Sequence, residues 1–244
     1  MRKRSVRSLK RKLFTSVLLF LVIPIVLYIG YFLLEEKQYN FISMSIVVIA
    51  CIPFFVRFEK RKTDAKEMMI IAVMAALAVV GRAAFIWLPA FKPVTAITAI
   101  TGFKLGPEAG FLTGALSAIC SNILFGQGPW TPFQMFTWGT IGFIAGLLGR
   151  KRWMMKKIPL ILFGIFTGVL FSFMMDIWTT LSYENGFSWS RYLQASITAL
   201  PYTCTYAISN IIFLLLLTKP IGDKIERIVT KYGLNYNQTA KKAL

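Results

Sequence analysis

Histidine is absent from this 244-residue sequence, acids are few, and the three cysteines stand far apart. Cys51, Cys120 and Cys204 each sit inside an apolar run without CxxC spacing, so the common zinc, haem and iron–sulfur ligand sets are missing. Isolated cysteines of this kind behave as small hydrophobes, and neither disulfides, thiol catalysis nor a metal or other cofactor is expected. Charge is scarce too: 16% of residues are charged against 56% hydrophobic, where a soluble domain carries about 25% charged. A Walker sequence, paired catalytic carboxylates and a Ser/His arrangement are all lacking. Phe125-Gly126-Gln127-Gly128-Pro129 contains GxG, but it follows an apolar run and lacks the rest of a dinucleotide fingerprint, so it reads as a tight turn. An embedded enzyme needs clustered acids or histidines facing a cavity, and the sequence offers neither.

What the sequence has in quantity is apolar runs long enough to cross a bilayer as helix. Eight spans are expected, at 13–34, 40–57, 67–88, 93–105, 107–125, 131–149, 158–181 and 193–218. The fourth is short and is parted from the fifth only by Gly106-Pro107, a strong turn signal. Leu13 to Leu34 follows a basic stretch but is too long for a signal-peptide core. No small-x-small site follows it, and Glu35-Glu36-Lys37 comes next, so it reads as a retained helix.

The net charge of +18 is distributed by loop. Residues 1–12 hold seven Lys/Arg, 57–67 five, 150–157 five and the tail from Lys219 six, whereas the 35–39 and 182–192 connections hold one each. Basic-rich and basic-poor loops alternate, which places both termini in the cytoplasm of a multi-pass cell-membrane protein. The charge is then a topology and lipid-headgroup signal rather than a nucleic-acid footprint.

Small residues recur at spacings of four. Ala72 and Ala76 lie beside Ala75; Gly106, Gly110, Gly114 and Ala118 follow; then Gly142 with Gly146, and Gly164 with Gly168 and Ser172. Such stripes let helices approach closely in lipid. They serve internal packing or dock a partner subunit, and periodicity does not separate the two.

Polar residues inside spans are functional candidates by default. Arg82, Asn122, Gln134, Asp176, Tyr202 and Asn210 gather toward the outer half under this topology, with Gln127 and Trp130 in the turn above them. Lys104 and Glu108, spaced i,i+4 across the Gly-Pro turn, are placed to pair with each other. Aromatics crowd the outer connections: Trp87, Phe91, Phe125, Trp130, Trp138, Trp178, Tyr183, Trp189 and Tyr192. They serve as an interfacial belt, or they wall a pocket for a flat organic ligand above a polar floor.

The stretch "IAVMAALAVVGRAAF", followed by "KPVTAITAITGFKLGPEAGFLTGALSAICSNILFGQGPWTPFQMFTWGTIGFIAGLLG", resembles the substrate-binding S component of an energy-coupling factor (ECF) transporter. "LGPEAGFLTGALS" with "GPWTPFQM" is its most specific part. The resemblance implies an all-α integral membrane protein with a six-helix S-component-like core at 61–220. A basic segment and two extra transmembrane helices (1–60) precede it, and a cytoplasmic tail (221–244) follows. It further implies capture of a vitamin-like micronutrient from outside, with cobalamin-linked members the most similar. Partners would be a membrane T component, docking on Ala72 and Ala76, and two ATPase subunits. The competing expectation is a stand-alone ion-coupled secondary transporter using Asp176, although no convincing inverted repeat is visible.

Overall fold

The computed structural model describes residues 65–149, 151–183 and 187–233, with isolated positions between 45 and 56. The basic N-terminal segment, the 13–34 span, the Glu35-Glu36-Lys37 loop, most of the 57–67 connection and the tail beyond 233 lie outside the described residues. Among the described residues the chain forms seven α-helices and no strand. They are α1 (Ala65–Ala84), α2 (Val94–Leu105), α3 (Pro107–Phe125), α4 (Thr131–Leu148), α5 (Lys157–Leu181), α6 (Trp189–Thr198) and α7 (Leu200–Lys231), with a 3-10 turn at Arg152–Met155. Of these, α1, α3, α5 and α7 are long and apolar enough to cross a membrane.

Helix α2 has twelve residues, eleven of them buried. At 1.5 Å per residue it rises about 18 Å, short of the roughly 30 Å hydrocarbon core. It therefore works as the centre of the bundle, touching α1, α3, α4 and α7. Gly106 ends it with φ of 98°, a left-handed backbone that side chains rarely adopt, and Pro107 opens α3 at a position where its missing N–H costs nothing. The expected break at Gly106-Pro107 is thus a real one.

The glycine stripes are spent inside the bundle. A Cβ on Gly142 would stand 2.2 Å from the Gly110 carbonyl oxygen, and one on Gly146 would stand 2.2 Å from the Pro107 nitrogen. Gly114 lies against the Trp138 backbone and Gly102 against Gly142, so α2, α3 and α4 meet backbone to backbone. On the other side, Gly164 and Gly168 of α5 admit Ile211 and Ala207 of α7. Helix α1 differs. Ile70, Ile71, Met74, Ala75 and Ala78 face the core, while Ala72, Ala76, Met68, Met69, Val73, Leu77 and Val80 are exposed.

Three expectations are corrected. The 193–218 span is two helices, because Pro201 starts a new helix at Leu200 and α7 then runs to Lys231. The 67–88 span ends at Ala84, and residues 85–92 form a turn with Ala90 at φ of 59°. Lys104 ion-pairs with Glu226 of α7 at 2.8 Å, across the bundle rather than over the Gly106-Pro107 turn toward Glu108. From the expected second extra helix, Cys51 is buried in a small cluster with Phe111 and Ala115, and Phe55 packs edge-on against Phe111 at 6.3 Å between ring centroids.

Candidate ligand-binding site

One end of the bundle collects the last turn of α1, the turn before α2, the end of α3 and the start of α4. Helix alternation brings Arg82, Lys92, Asn122 and Gln134 to this end although 52 positions separate the first from the last. Arg82 donates through Nη1 to Ser121 Oγ and to Asn122 Oδ1, the latter at 2.8 Å. Asn122, fully buried, donates through Nδ2 to Thr131 Oγ1 and Gln134 Oε1, both at 2.8 Å. Thr131 in turn donates to Gln127 Oε1 at 2.9 Å. A continuous polar chain therefore links α1, α3 and α4. The Arg82 guanidinium also lies over the rings of Phe125 and Trp138, 4.7 and 5.4 Å from their centroids, where cation–π attraction holds it.

Beside this chain is a partly open cavity of about 80 Å³ lined by Arg82, Lys92, Thr95, Gln134, Trp138, Phe171 and Tyr206, with Ala90 and Val94. Trp138 stacks on Phe171 at 5.2 Å, and Phe171 meets Tyr206 at 4.9 Å, giving an aromatic wall. Lys92 is positioned through its backbone: its N–H donates to Ser209 Oγ at 2.9 Å and its carbonyl accepts from the same hydroxyl at 3.2 Å. Burial, and secondarily the nearby Arg82 charge, hold the Lys92 ammonium below the ordinary lysine range. No carboxylate among the described residues pairs with Arg82 or Lys92.

Of the sequence candidates, Arg82 and Gln134 line the cavity and Asn122 supports both. Gln127 is exposed and closes the polar chain, also donating to the Ile119 carbonyl at 3.0 Å. Trp130 lies on the Gly128 backbone rather than in the cavity. Tyr202 is 56% exposed and does not line the cavity; Tyr206, one helical turn later, lines the cleft instead. Asn210 is buried but bonds Thr167 across the α5–α7 contact at 3.1 Å, as packing glue. Asp176 is buried outside the cavity lining, and its Oδ2 makes no well-formed hydrogen bond among the described residues, with the Ser196 hydroxyl its near neighbour. Trp87 and Trp189, at 90% and 72% exposure, fit an interfacial belt, whereas Trp138 is a wall residue.

Lys92, Thr95, Phe171, Tyr206 and Ser209 are the residues that sequence reasoning passed over. Lys92 next to a proline at a span entrance and Ser209-Asn210 within an apolar run were the available signals.

No solved structure matches the chain. Among curated proteins it is similar to a UPF0397 protein of Vibrio atlanticus, 26% identical over 157 residues that make up 61% of this chain and 81% of the relative. A UPF0397 protein of Aliivibrio salmonicida is 28% identical over 152 residues, 59% of this chain and 78% of that one. One from Aliivibrio fischeri is 32% identical over 89 residues, 34% and 48% respectively. The model of the family described as "ECF-type riboflavin transporter, S component" matches residues 62–223, well over half of the chain. That description lends no support to the cobalamin link. It fits an all-helical membrane bundle, and the chain belongs to this family of ECF transporter S components.

Proposed function

We propose that this chain is the substrate-capturing subunit of an ECF-type importer, taking a flat heterocyclic micronutrient at the Arg82–Tyr206 cleft and working with a T component and two ATPase subunits. The observation that carries the reading is the contrast between small-residue stripes. Those of α3, α4 and α5 are consumed by internal contacts, while Ala72 and Ala76 of α1 remain exposed among Met69, Val73 and Leu77. Close helix approach is the main route to association in lipid, so the unspent stripe is the docking face for the T component. Both termini are placed in the cytoplasm by the loop charges, as the sequence implies.

The family description makes riboflavin the first ligand to test. A cavity of about 80 Å³ lies below the ~300–1,000 Å³ usual for small-molecule pockets, so a ligand of that size needs the 85–93 turn to shift or extends out of the opening. A corrinoid would need far more space, and nothing in the geometry favours one.

Co-expression with T and ATPase subunits tests the assembly. Ala72→Trp with Ala76→Trp should abolish co-purification while leaving the melting temperature of the isolated chain unchanged; undiminished co-purification would sink the docking face. One observation favours the ion-coupled alternative, the buried Asp176 carboxyl, whose Oδ2 forms no well-formed hydrogen bond and no ion pair among the described residues beyond the nearby Ser196 hydroxyl. Uptake into liposomes by the chain alone, driven by a proton or sodium gradient and lost in Asp176→Asn, would support that reading over ours.

A further inference from the structure

Two cations border one small cleft, and no acid among the described residues pairs with them. Nη1 makes both of the hydrogen bonds that Arg82 forms with described residues, leaving Nη2 and Nε without a hydrogen-bond acceptor among them while the guanidinium face lies over Phe125 and Trp138. The Lys92 ammonium makes no hydrogen bond or ion pair with any described residue, although its backbone is clamped at both ends by Ser209. Asp176 neither lines the cleft nor pairs with either cation. The Lys104–Glu226 pair shows that the chain does supply a carboxylate to a lysine elsewhere, so the omission at this end is specific to it.

Holding two like charges against one cavity is costly unless an anion joins them. The rest of the lining is an aromatic wall of Trp138, Phe171 and Tyr206, with the neutral polar groups of Thr95 and Gln134 beside it and Ala90 and Val94 between. We infer that the cleft is built for an aromatic or heteroaromatic acid, its carboxylate or phosphate oxyanion held between Arg82 and Lys92 and its ring against Trp138, Phe171 and Tyr206. The cavity size suits such an acid head, with any larger remainder of the ligand projecting through the opening. This deepens the reading of the cleft as the substrate site: it makes charge, which riboflavin lacks, the feature that selects the ligand.

The test uses the purified full chain in a neutral, phospholipid-free detergent at fixed ionic strength. Benzoate, phenyl phosphate and the uncharged isostere benzamide are titrated, and thermal stability and tryptophan fluorescence are read. Benzoate or phenyl phosphate should raise the melting temperature and perturb the fluorescence, and benzamide should do neither. Protection by both anions gives a general oxyanion site; protection by phenyl phosphate alone narrows it to phosphomonoesters. Lys92→Gln, which removes no protein hydrogen bond, should weaken anion binding by about tenfold or more, and Arg82→Gln likewise. Equal action by benzamide, absence of any effect from both anions, or anion binding unchanged in both variants overturns the inference. Stabilisation by added phosphatidylglycerol without any response to the aromatic anions would assign the cations to a lipid headgroup and overturn it too. Assembly with T and ATPase subunits is read separately, so failure here leaves the subunit assignment standing, and failed assembly leaves this result standing.

Discussion

Asn122→Ala removes the residue that joins three helices. It deletes one hydrogen bond from a cation (Arg82) and two between neutral groups (to Thr131 and Gln134). In soluble proteins such bonds contribute about 1.5–3 and 0.5–1.5 kcal/mol respectively, but interhelical bonds in membrane proteins average nearer ~0.6 kcal/mol. The partners are also not stranded equally. Arg82 keeps Ser121 and Thr131 keeps Gln127, while Gln134 Oε1 loses its one protein donor among the described residues. These offsets bring the expected loss to about 2–3 kcal/mol. For a chain of this size that is roughly 4–12 °C in melting temperature, at ~2–4 °C per kcal/mol. Thermal unfolding of the detergent-solubilised protein, followed by the loss of its monodisperse gel-filtration peak, measures it. Gln127→Ala is the control: the same polar chain is trimmed at its exposed end, and a shift of no more than ~1–2 °C is expected. If Asn122→Ala melts within a degree of the unaltered protein, the polar chain is not what ties α1 to α3 and α4.

Gly142→Ala should cost about 1–3 kcal/mol or more, because its Cβ meets the Gly110 backbone and two main chains must part. Gly222→Ala meets only the flexible end of Lys104 and should be nearly silent in the same thermal assay. Lys104→Ala breaks an ion pair whose Glu226 is 65% exposed, so a loss of only ~0.2–1 kcal/mol is expected. Binding of benzoate should also depend on pH. The Lys92 pKa lies below the ordinary lysine value of about 10.4, and a bound anion raises it. Affinity is therefore level below the free-state pKa and falls as pH climbs from there to the bound-state value. Arg82 stays charged throughout, and loss of the Tyr206 proton would act in the same direction. Comparison with Lys92→Gln, whose profile should be flatter over this range, isolates the lysine.

Apolar length and breaker residues made most of the helices legible. Gly106-Pro107 marks its boundary to the residue because the positive φ favours glycine and the first position of the next helix is one that proline, lacking an N–H, occupies without cost. Pro201 carried the same kind of signal, but the apolar run around it continues unbroken, so α6 and α7 read as one span. The polar residues were harder. A polar side chain in a span serves equally as cavity lining or as glue between helices, and composition does not distinguish Asn122 from Asn210. Tyr202 and Tyr206 illustrate the limit: they stand one turn apart, and only the rotation of α7 against α5 and α2 decides which lines the cleft. Lys92 was hidden for a different reason. It lies in a turn, where a charge ordinarily faces water, and the Ser209 clamp that fixes it comes from 117 positions away.

Because Gly110, Gly114, Gly142 and Gly146 bring α3 and α4 together through main-chain atoms, that seam contains almost no rotamers to exchange. It is a fixed frame on which the cleft is mounted. The groups that line the cleft come mostly from elsewhere: Arg82 from α1, Lys92 from the turn, Thr95 from α2, Phe171 from α5 and Tyr206 from α7. Ligand choice can therefore be retooled piecemeal. A library that randomises Lys92, Thr95, Phe171 and Tyr206 while leaving the glycine seam alone should return a high proportion of folded proteins with a reshaped cleft, which makes this chain a practical starting scaffold for small-molecule capture.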